Sequence, residues 1–85
     1  MKKIITINEL FSYMGQIITF YFVNKEDITG ILLSESVGEN PNFFVVPTSQ
    51  YKEYTTHIDN KEFEEANKMR IYFQVDTIKE FDILQ

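Results

Sequence analysis

The sequence predicts one mainly β domain in which a short N-terminal α-helix accompanies a small, strongly bent five-stranded sheet or barrel. Near Gly15 the spacing of apolar residues changes from the helical period to the alternation of a strand. Several short apolar segments follow, and polar, turn-forming residues separate them. A chain of 85 residues is long enough for one hydrophobic core but not for two. We therefore expect residues 1–85 to form a single small barrel domain.

Residues 7–14 have the spacing of an amphipathic helix. The apolar side chains that share one helical face are Ile7, Leu10, Phe11 and Met14. Thr6 and Glu9 have the spacing of a capping box, and Asn8 is a competing cap. Gly15 can adopt the left-handed conformation that commonly ends a helix. The sequence therefore predicts a first helix over residues 7–14.

Residues 17–23 and 28–34 predict a first β-hairpin. The first segment is nearly all β-branched or aromatic and is largely apolar on both alternating faces, so we expect both faces to be covered. The polar connection over residues 24–27 has the length of a hairpin loop. Gly30 lies inside the second strand, where glycine is unfavourable unless the backbone bends sharply or approaches another strand closely. We expect strong curvature at this position.

The next segment combines a predicted loop with a third strand. Residues 35–42 contain the densest cluster of turn-forming residues in the chain, which predicts a loop. Residues 43–46 are apolar and predict a strand. Pro47 has no amide donor, so it ends this strand or limits the following residues to a sheet edge.

Residues 51–68 leave three alternatives open, namely strand, helix and loop. Weak alternation over residues 51–58 permits a bent or interrupted strand. Asp59 and Glu62 have the spacing that caps a short helix, which would lie in the insertion between strands three and four.

Two further strands complete the predicted sheet. Residues 69–75 alternate most cleanly between apolar and polar side chains and predict the fourth strand. Residues 76–77 predict a tight turn, and residues 78–84 predict the closing strand. The expected core consists of Leu10, Phe11, Ile18, Phe20, Phe22, Ile31, Leu33, Phe44, Ile71, Phe73, Phe81 and Ile83.

The order of these elements resembles the Sm-like family, whose members are small five-stranded SH3-like barrels. The residues that carry the resemblance are Leu10, Tyr13 and Gly15 at the end of the helix, residues 17–23 as the first strand, Asn24 at the turn, and residues 28–32 as the bent second strand. The remaining strands match the family in layout only. The resemblance implies the barrel described above, with a short N-terminal helix.

The resemblance also implies an alternative function, an RNA-binding ring. Sm-like proteins usually place an acidic residue and an asparagine around the loop between strands two and three. Glu35 with Asn40 or Asn42 occupies these positions and would contact RNA. The family also places a basic residue and a glycine between its last two strands, where this chain has Val75 and Asp76. The RNA-binding motif is therefore not matched at that point.

The residue composition disfavours catalysis and metal binding. The chain has no cysteine and a single histidine, His57, so it lacks the usual zinc ligand sets and the base of a nucleophilic triad. Only three glycines are present, and none belongs to a phosphate-binding loop. We expect a protein that is not an enzyme and that holds no metal and no cofactor.

Charge and aromatic content favour a protein partner. The formal net charge is -5, and eight of the 13 acidic residues follow position 50, which opposes binding to nucleic acid. Such a surface suits a basic partner. We expect a protein-interaction or self-association module, with a homo-oligomer as one outcome. The expected partner contacts are Tyr51, Tyr54, Glu62 and Glu65, with both tyrosines exposed.

The N-terminal segment does not have the pattern of an export signal. Lys2 and Lys3 provide a basic start, but the apolar run that follows ends at Thr6. The longest apolar stretches are far shorter than the roughly 20 residues that a membrane helix requires. The absence of cysteine fits a reducing compartment. We expect a cytoplasmic protein that does not contact a membrane.

Overall fold

The computed structural model describes residues 6–84, apart from the side chain of Val37, and within them one antiparallel sheet carries three short α-helices. Lys2 and Lys3, used above for localisation, lie outside the described residues. The strands are β1 (Ile17–Phe22), β2 (Ile28–Val37), β3 (Asn40–Val46), β4 (Ile71–Tyr72) and β5 (Ile78–Leu84). The helices are α1 (Ile7–Phe11), α2 (Tyr51–Asp59) and α3 (Phe63–Asn67). The strand order is β4-β3-β2-β1-β5, so the predicted mainly β fold with five strands is confirmed.

Helix α1 begins at the predicted cap but ends earlier than predicted. Thr6 Oγ1 accepts a hydrogen bond from the Glu9 amide at 3.1 Å. The helix ends at Phe11 rather than at residue 14. The amide of Gly15 donates to the carbonyl of Leu32 in β2 at 2.8 Å instead of continuing the helix, and its φ of 82° turns the chain into β1. The contact with the sheet therefore ends the helix.

Gly30 occupies a point where β2 and β3 approach closely. It pairs with Ile18 of β1. A Cβ added at Gly30 would lie 2.5 Å from the carbonyl oxygen of Val46 and 2.9 Å from the carbonyl carbon. No side chain fits in that space, so the predicted need for glycine is confirmed.

The predicted loop over residues 35–42 is wrong. Strand β2 continues to Val37, and β3 begins at Asn40, so only Gly38 and Glu39 form the turn. Gly38 has a φ of 64°, the conformation that a two-residue hairpin turn requires. The other turn-forming residues lie in the ladder, because its cross-strand pairing outweighs their local preference.

The strand alternative for residues 51–58 is also wrong, because these residues form α2. Tyr51, Tyr54 and Ile58 recur at helical spacing and pack against the sheet. Helix α3 starts at Phe63, and the N-cap residue Glu62 makes no side-chain capping bond. The expected capping of this helix by Asp59 and Glu62 is therefore wrong.

Strand β4 is much shorter than the predicted strand over residues 69–75. It contains only Ile71 and Tyr72, because residues 73–77 must lead from this edge of the sheet to β5 at the other edge. Phe73 packs against Phe20 and Phe22 of β1, with ring centroids 4.9 and 5.7 Å apart. The sheet is therefore bent enough to bring the segment after β4 against β1. Strand β5 has the predicted bounds.

Both faces of the sheet carry a core. The first cluster contains Leu10, Ile18, Phe20, Phe22, Leu32, Phe43, Val45, Phe73 and Phe81. The second cluster, under α2 and α3, contains Phe44, Val46, Tyr54 and Ala66. Because helices cover the second face, β3 buries residues of both parities, and in β2 Leu32 is buried while Leu33 is half-buried against the second cluster. Sequence alternation had assigned only one parity of these strands to the core.

The predicted core list is confirmed for seven residues and needs correction for the others. The confirmed residues are Leu10, Ile18, Phe20, Phe22, Phe44, Phe73 and Phe81. Phe11 is 43% exposed and rests against Phe43, because α1 ends at this residue. The residues that are only half-buried are Ile31, Leu33, Ile71 and Ile83.

Replacing Gly30 by alanine should destabilise the fold, because the added Cβ would overlap the carbonyl group of Val46. We expect the free energy of unfolding to fall by about 2–3 kcal/mol, as for other overpacked interiors. Urea denaturation measures this change. The control is Gly38→Asn, whose Cβ meets no atom within 4 Å, so that it adds only the smaller backbone cost of a side chain at positive φ. Equal losses in the two variants would contradict the close approach.

Candidate interaction site

Strand β5 forms one edge of the sheet that the described residues build. It is the last strand in the sheet and pairs only with β1 among the residues that the structure describes. In an antiparallel ladder, alternate residues direct their N–H and C=O groups towards the neighbouring strand, and the others direct theirs away. The strand is seven residues long, so it offers several backbone donors and acceptors to a further strand. This edge is the first candidate site.

The two faces of β5 differ in chemistry. Phe81 is fully buried on the face that packs into the first core cluster. Glu80 and Asp82 lie on the opposite face, because successive side chains of a strand alternate. Their partners in the ladder are Tyr21 and Thr19 of β1. A strand added at this edge would meet apolar side chains on one face and carboxylates on the other.

A tyrosine holds one of these carboxylates in place. The hydroxyl of Tyr21 donates to Asp82 Oδ2 at 3.3 Å. Partial burial raises the pKa of Tyr21, and the negative charge of Asp82 raises it further. The hydroxyl therefore stays protonated at neutral pH and remains a donor. This bond ties Tyr21 of β1 to Asp82 of β5 on the outer face of the sheet.

The two tyrosines predicted to contact a partner lie on the sheet-facing side of α2. Tyr54 is only 6% exposed and belongs to the second core cluster, so the expectation that it is exposed is wrong. Tyr51 is half-buried and stacks on Tyr54 with ring centroids 6.4 Å apart. Both line a pocket of about 340 Å³ between α2 and the sheet. A partner group that entered this pocket would contact them.

The two glutamates predicted as partner contacts lie on the surface of the α2–α3 region. Glu65 accepts a hydrogen bond from Lys68 Nζ at 3.2 Å. His57 lies between two carboxylates, 3.2 Å from Glu62 and 3.6 Å from Glu53. The hydrogen bond with Glu62 raises the pKa of His57, although partial burial opposes the rise. The imidazolium form therefore links the end of α2 to the residue that precedes α3.

Arg70 joins several elements of the fold, and the sequence did not single it out. Its Nη1 donates to Glu35 Oε2 at 2.6 Å and to the Tyr72 hydroxyl at 3.1 Å. Its Nε donates to the Tyr54 hydroxyl at 3.1 Å. Its guanidinium carbon lies 4.5 Å from the ring centroid of Phe44, a cation–π distance. One side chain thereby connects β2, β3, β4 and α2.

These contacts keep both partners of the ion pair charged. The hydrogen bond from the Tyr72 hydroxyl lowers the pKa of Glu35; burial opposes this effect, and Arg70 adds to it. Burial would lower the pKa of Arg70, but its hydrogen bonds with Tyr72 and Tyr54 outweigh burial and the pKa is raised. The two charges neutralise each other within the protein.

The three residues assigned to RNA binding lie on the β2–β3 hairpin. Glu35 and Asn42 are direct cross-strand partners, with Asn42 Nδ2 3.5 Å from Glu35 Oε1. Asn40 lies at the far end of the hairpin, beside the turn. The carboxylate oxygens of Glu35 already accept hydrogen bonds from Arg70 and Tyr72. An RNA contact at Glu35 would therefore compete with these bonds.

The described part of the chain contains no cluster of three or more His, Asp or Glu side chains placed to hold a metal ion. In the same residues, no helix has the length and apolar character needed to cross a membrane. The candidate sites described above are the strand edge, the α2–α3 surface and the hairpin.

No protein-family model matches the sequence, and no curated protein and no solved structure matches it significantly. The functional proposal therefore depends on the geometry and charge of this chain.

Replacing Arg70 by methionine should destabilise the fold, because the charge of Glu35 would lose its counter-ion. We expect the free energy of unfolding to fall by about 2 kcal/mol, since a hydrogen bond to a charged group contributes about 1.5–3 kcal/mol. The control is Lys68→Met, which removes an exposed ion pair with Glu65 and should change stability by less than about 1 kcal/mol. Urea denaturation that gave equal losses would show that Arg70 has no such structural role.

Protonation of His57 should stabilise the link between α2 and α3. Because its pKa is raised in the folded state, this stabilisation is complete below the unfolded value of 6.5 and is lost as the pH rises through the folded pKa. We therefore expect the thermal unfolding midpoint to decrease as the pH rises above 6.5. In the variant His57→Gln the decline should be smaller. A parallel decline in the two proteins would contradict this role of His57.

Proposed function

We propose that the protein is a non-enzymatic interaction module that binds an extended segment of a protein partner at the open edge of β5. The observation that carries this proposal is the seven-residue edge, which among the described residues pairs only with β1. Unpaired strand edges commonly capture peptides, because main-chain hydrogen bonds supply affinity and alternate side chains supply specificity. In this proposal the protein acts in the cytoplasm without a cofactor, a metal or a membrane.

The charge distribution supports a basic partner. The formal net charge is -5, and residues 51–67 contain five acidic and two basic side chains. Phe63 is 58% exposed within this acidic segment, and an exposed aromatic side chain is typical of a contact surface. The proposal keeps Tyr51, Glu62 and Glu65 as additional partner contacts on the α2–α3 surface. A partner would reach the buried Tyr54 only through the pocket between α2 and the sheet.

The alternative function is an Sm-like RNA-binding ring built from an SH3-like barrel. The barrel itself is our proposal for the finer description of the fold, because residues 73–77 connect the two edges of the bent sheet directly. The proximity of Glu35 and Asn42 also favours this alternative. Ring assembly would join β5 of one subunit to β4 of the next, and a β4 of only two residues offers little edge for this contact. We therefore favour the interaction module.

Light scattering and a titration with single-stranded RNA separate the two functions. The interaction module should be a monomer or a dimer and should show no salt-sensitive RNA affinity, because its acidic surface repels phosphate. The titration is made at two salt concentrations, since phosphate contacts weaken as salt rises.

The RNA-binding ring predicts a different result in both measurements. A ring of about six or seven subunits that binds RNA would establish the alternative. Its affinity should be lost in Asn40→Ala or Asn42→Ala and kept in Asn60→Ala, which changes an exposed asparagine after α2.

A further inference from the structure

We propose that the pocket between α2 and the sheet, which we call the α2 groove, accepts a lysine side chain of the partner polypeptide, with its ammonium group at Asp59. The groove has a volume of about 340 Å³. This inference rests on the proposed function, because it names the partner chemistry at the α2–α3 surface. It concerns a different part of the molecule from the edge of β5.

The walls of the α2 groove are mainly apolar and aromatic. Leu33 of β2 and Ile58 of α2 line it and are only half-buried, so both have apolar surface left to cover. The rings of Phe44, Tyr51 and Tyr54 complete these walls. Long charged side chains pack their methylene stems on such surfaces and keep the charged group in water. The ligand of this groove therefore has an apolar portion.

One carboxylate lies at an end of the α2 groove. Asp59 is the last residue of α2 and is exposed. Among the residues that the structure describes, its carboxylate has no hydrogen-bond or ion-pair partner. This position is unfavourable for a negative charge, because the C-terminal end of a helix carries partial negative charge itself. A bound cation would relieve this repulsion.

Arg70 also lines the α2 groove, but it is not the counter-ion of Asp59. Its Nη1 lies 2.6 Å from Glu35 Oε2, and its Nε donates to the Tyr54 hydroxyl. The ion pair with Glu35 compensates its positive charge. The end of the groove at Asp59 therefore stays acidic, and the ligand that suits it is a cation on an apolar stem.

Lysine fits this end better than arginine. The guanidinium carbon of Arg70 already lies 4.5 Å from the ring centroid of Phe44 and 5.7 Å from that of Tyr54. Arginine gains from stacking on aromatic faces, whereas lysine is a compact charge on a flexible apolar stem. A second guanidinium would have to compete with Arg70 for these rings. An ammonium group needs only the carboxylate.

The length of the α2 groove favours a polypeptide over a free amine. From Tyr51 to Asp59 the helix rises about 12 Å. An extended lysine side chain spans about 6 Å from Cα to Nζ, which is half of this length. In an extended peptide, side chains two residues apart lie on one side and are about 7 Å apart. An apolar side chain at this spacing from the lysine would cover the other half of the groove, beside Tyr51.

The test uses the whole protein, labelled with ¹⁵N, and blocked peptides of about seven residues. The lysine peptide has the sequence Ala-Leu-Ala-Lys-Ala-Leu-Ala, which offers leucine at the required spacing in both chain directions. Norleucine or arginine replaces the lysine in two matched peptides, and alanine replaces both leucines in a third. The probe for a free amine is n-pentylammonium.

We expect the lysine peptide to bind with a Kd of about 1 mM and about fivefold more tightly than the norleucine peptide, because it gains one surface ion pair. Binding should shift the amide signals of Thr55, Ile58 and Asp59 and leave those of residues 78–84 unchanged. High salt should weaken the preference for lysine over norleucine. The other two peptides and n-pentylammonium should bind more weakly than the lysine peptide.

The variant Asp59→Asn removes the charge and keeps the shape of the side chain. It should abolish the preference for lysine over norleucine, while the urea midpoint stays the same or rises, since the charge opposes the helix dipole. The control is Asp27→Asn, which makes the same change at an exposed residue between β1 and β2 and should keep the preference. Equal losses of preference would show that only the net charge is sensed, which would overturn the inference.

Filling the α2 groove supplies a second matched pair. Thr55 lines the groove, whereas the neighbouring Thr56 is exposed and does not. Both hydroxyls donate to the carbonyl of Lys52, so the two variants lose the same hydrogen bond. Thr55→Phe should weaken binding of the lysine peptide about tenfold, and Thr56→Phe should not. If Thr55→Phe does not fold, Asp59→Asn and the peptides on the native protein still decide.

Each contrary result overturns a stated part of the inference. Equal binding of the lysine and norleucine peptides would overturn the role of Asp59, and equal binding of the arginine peptide would overturn the selection of lysine. Tighter binding of n-pentylammonium would assign the groove to a free amine. Shifts confined to residues 78–84 would overturn the groove and leave the proposed function intact, whereas an RNA-binding ring would overturn the proposed function whatever the peptides do.

Discussion

The close approach of the end of β3 to Gly30 is the contact on which the rest of the fold depends. The carbonyl group of Val46 occupies the space that any larger residue at position 30 would need. The bent sheet that includes this contact brings Phe73, just after β4, onto Phe20 and Phe22 of β1. The first core cluster therefore forms between strands that are not neighbours in the sheet. A flat sheet of the same strands could not bury these aromatic rings together.

Helices on the second face of the sheet change what β2 and β3 must bury. Leu32 and Val45 face the first core cluster, whereas Phe44 and Val46 face the second, under α2 and α3. The second cluster ends at a polar contact, where Arg70 lies over Phe44 and bonds to groups from separate elements. The ion pair with Glu35 neutralises the charge of Arg70 within the fold. Little of this positive charge is therefore available to attract a phosphate backbone.

The bent sheet that forms the first core cluster also leaves β5 as an edge strand, and the two faces of this strand carry different side chains. Its inner residues complete the core, and its outer residues carry two carboxylates on alternate positions. Charged side chains on an edge usually prevent uncontrolled pairing between copies of a protein.

The sequence by itself determined the elements whose signals are local. The cap at Thr6, the left-handed Gly15 and the bounds of β5 follow from residue type and alternation, and the acidic character of the candidate site follows from composition. The tertiary structure decided the elements whose stability comes from distant partners. Residues 35–42 pair as strands because a long ladder outweighs turn preference, and Tyr54 is buried because α2 packs on a second sheet face. Arg70 and the open edge are defined only by chain segments that meet in space, which no local pattern encodes.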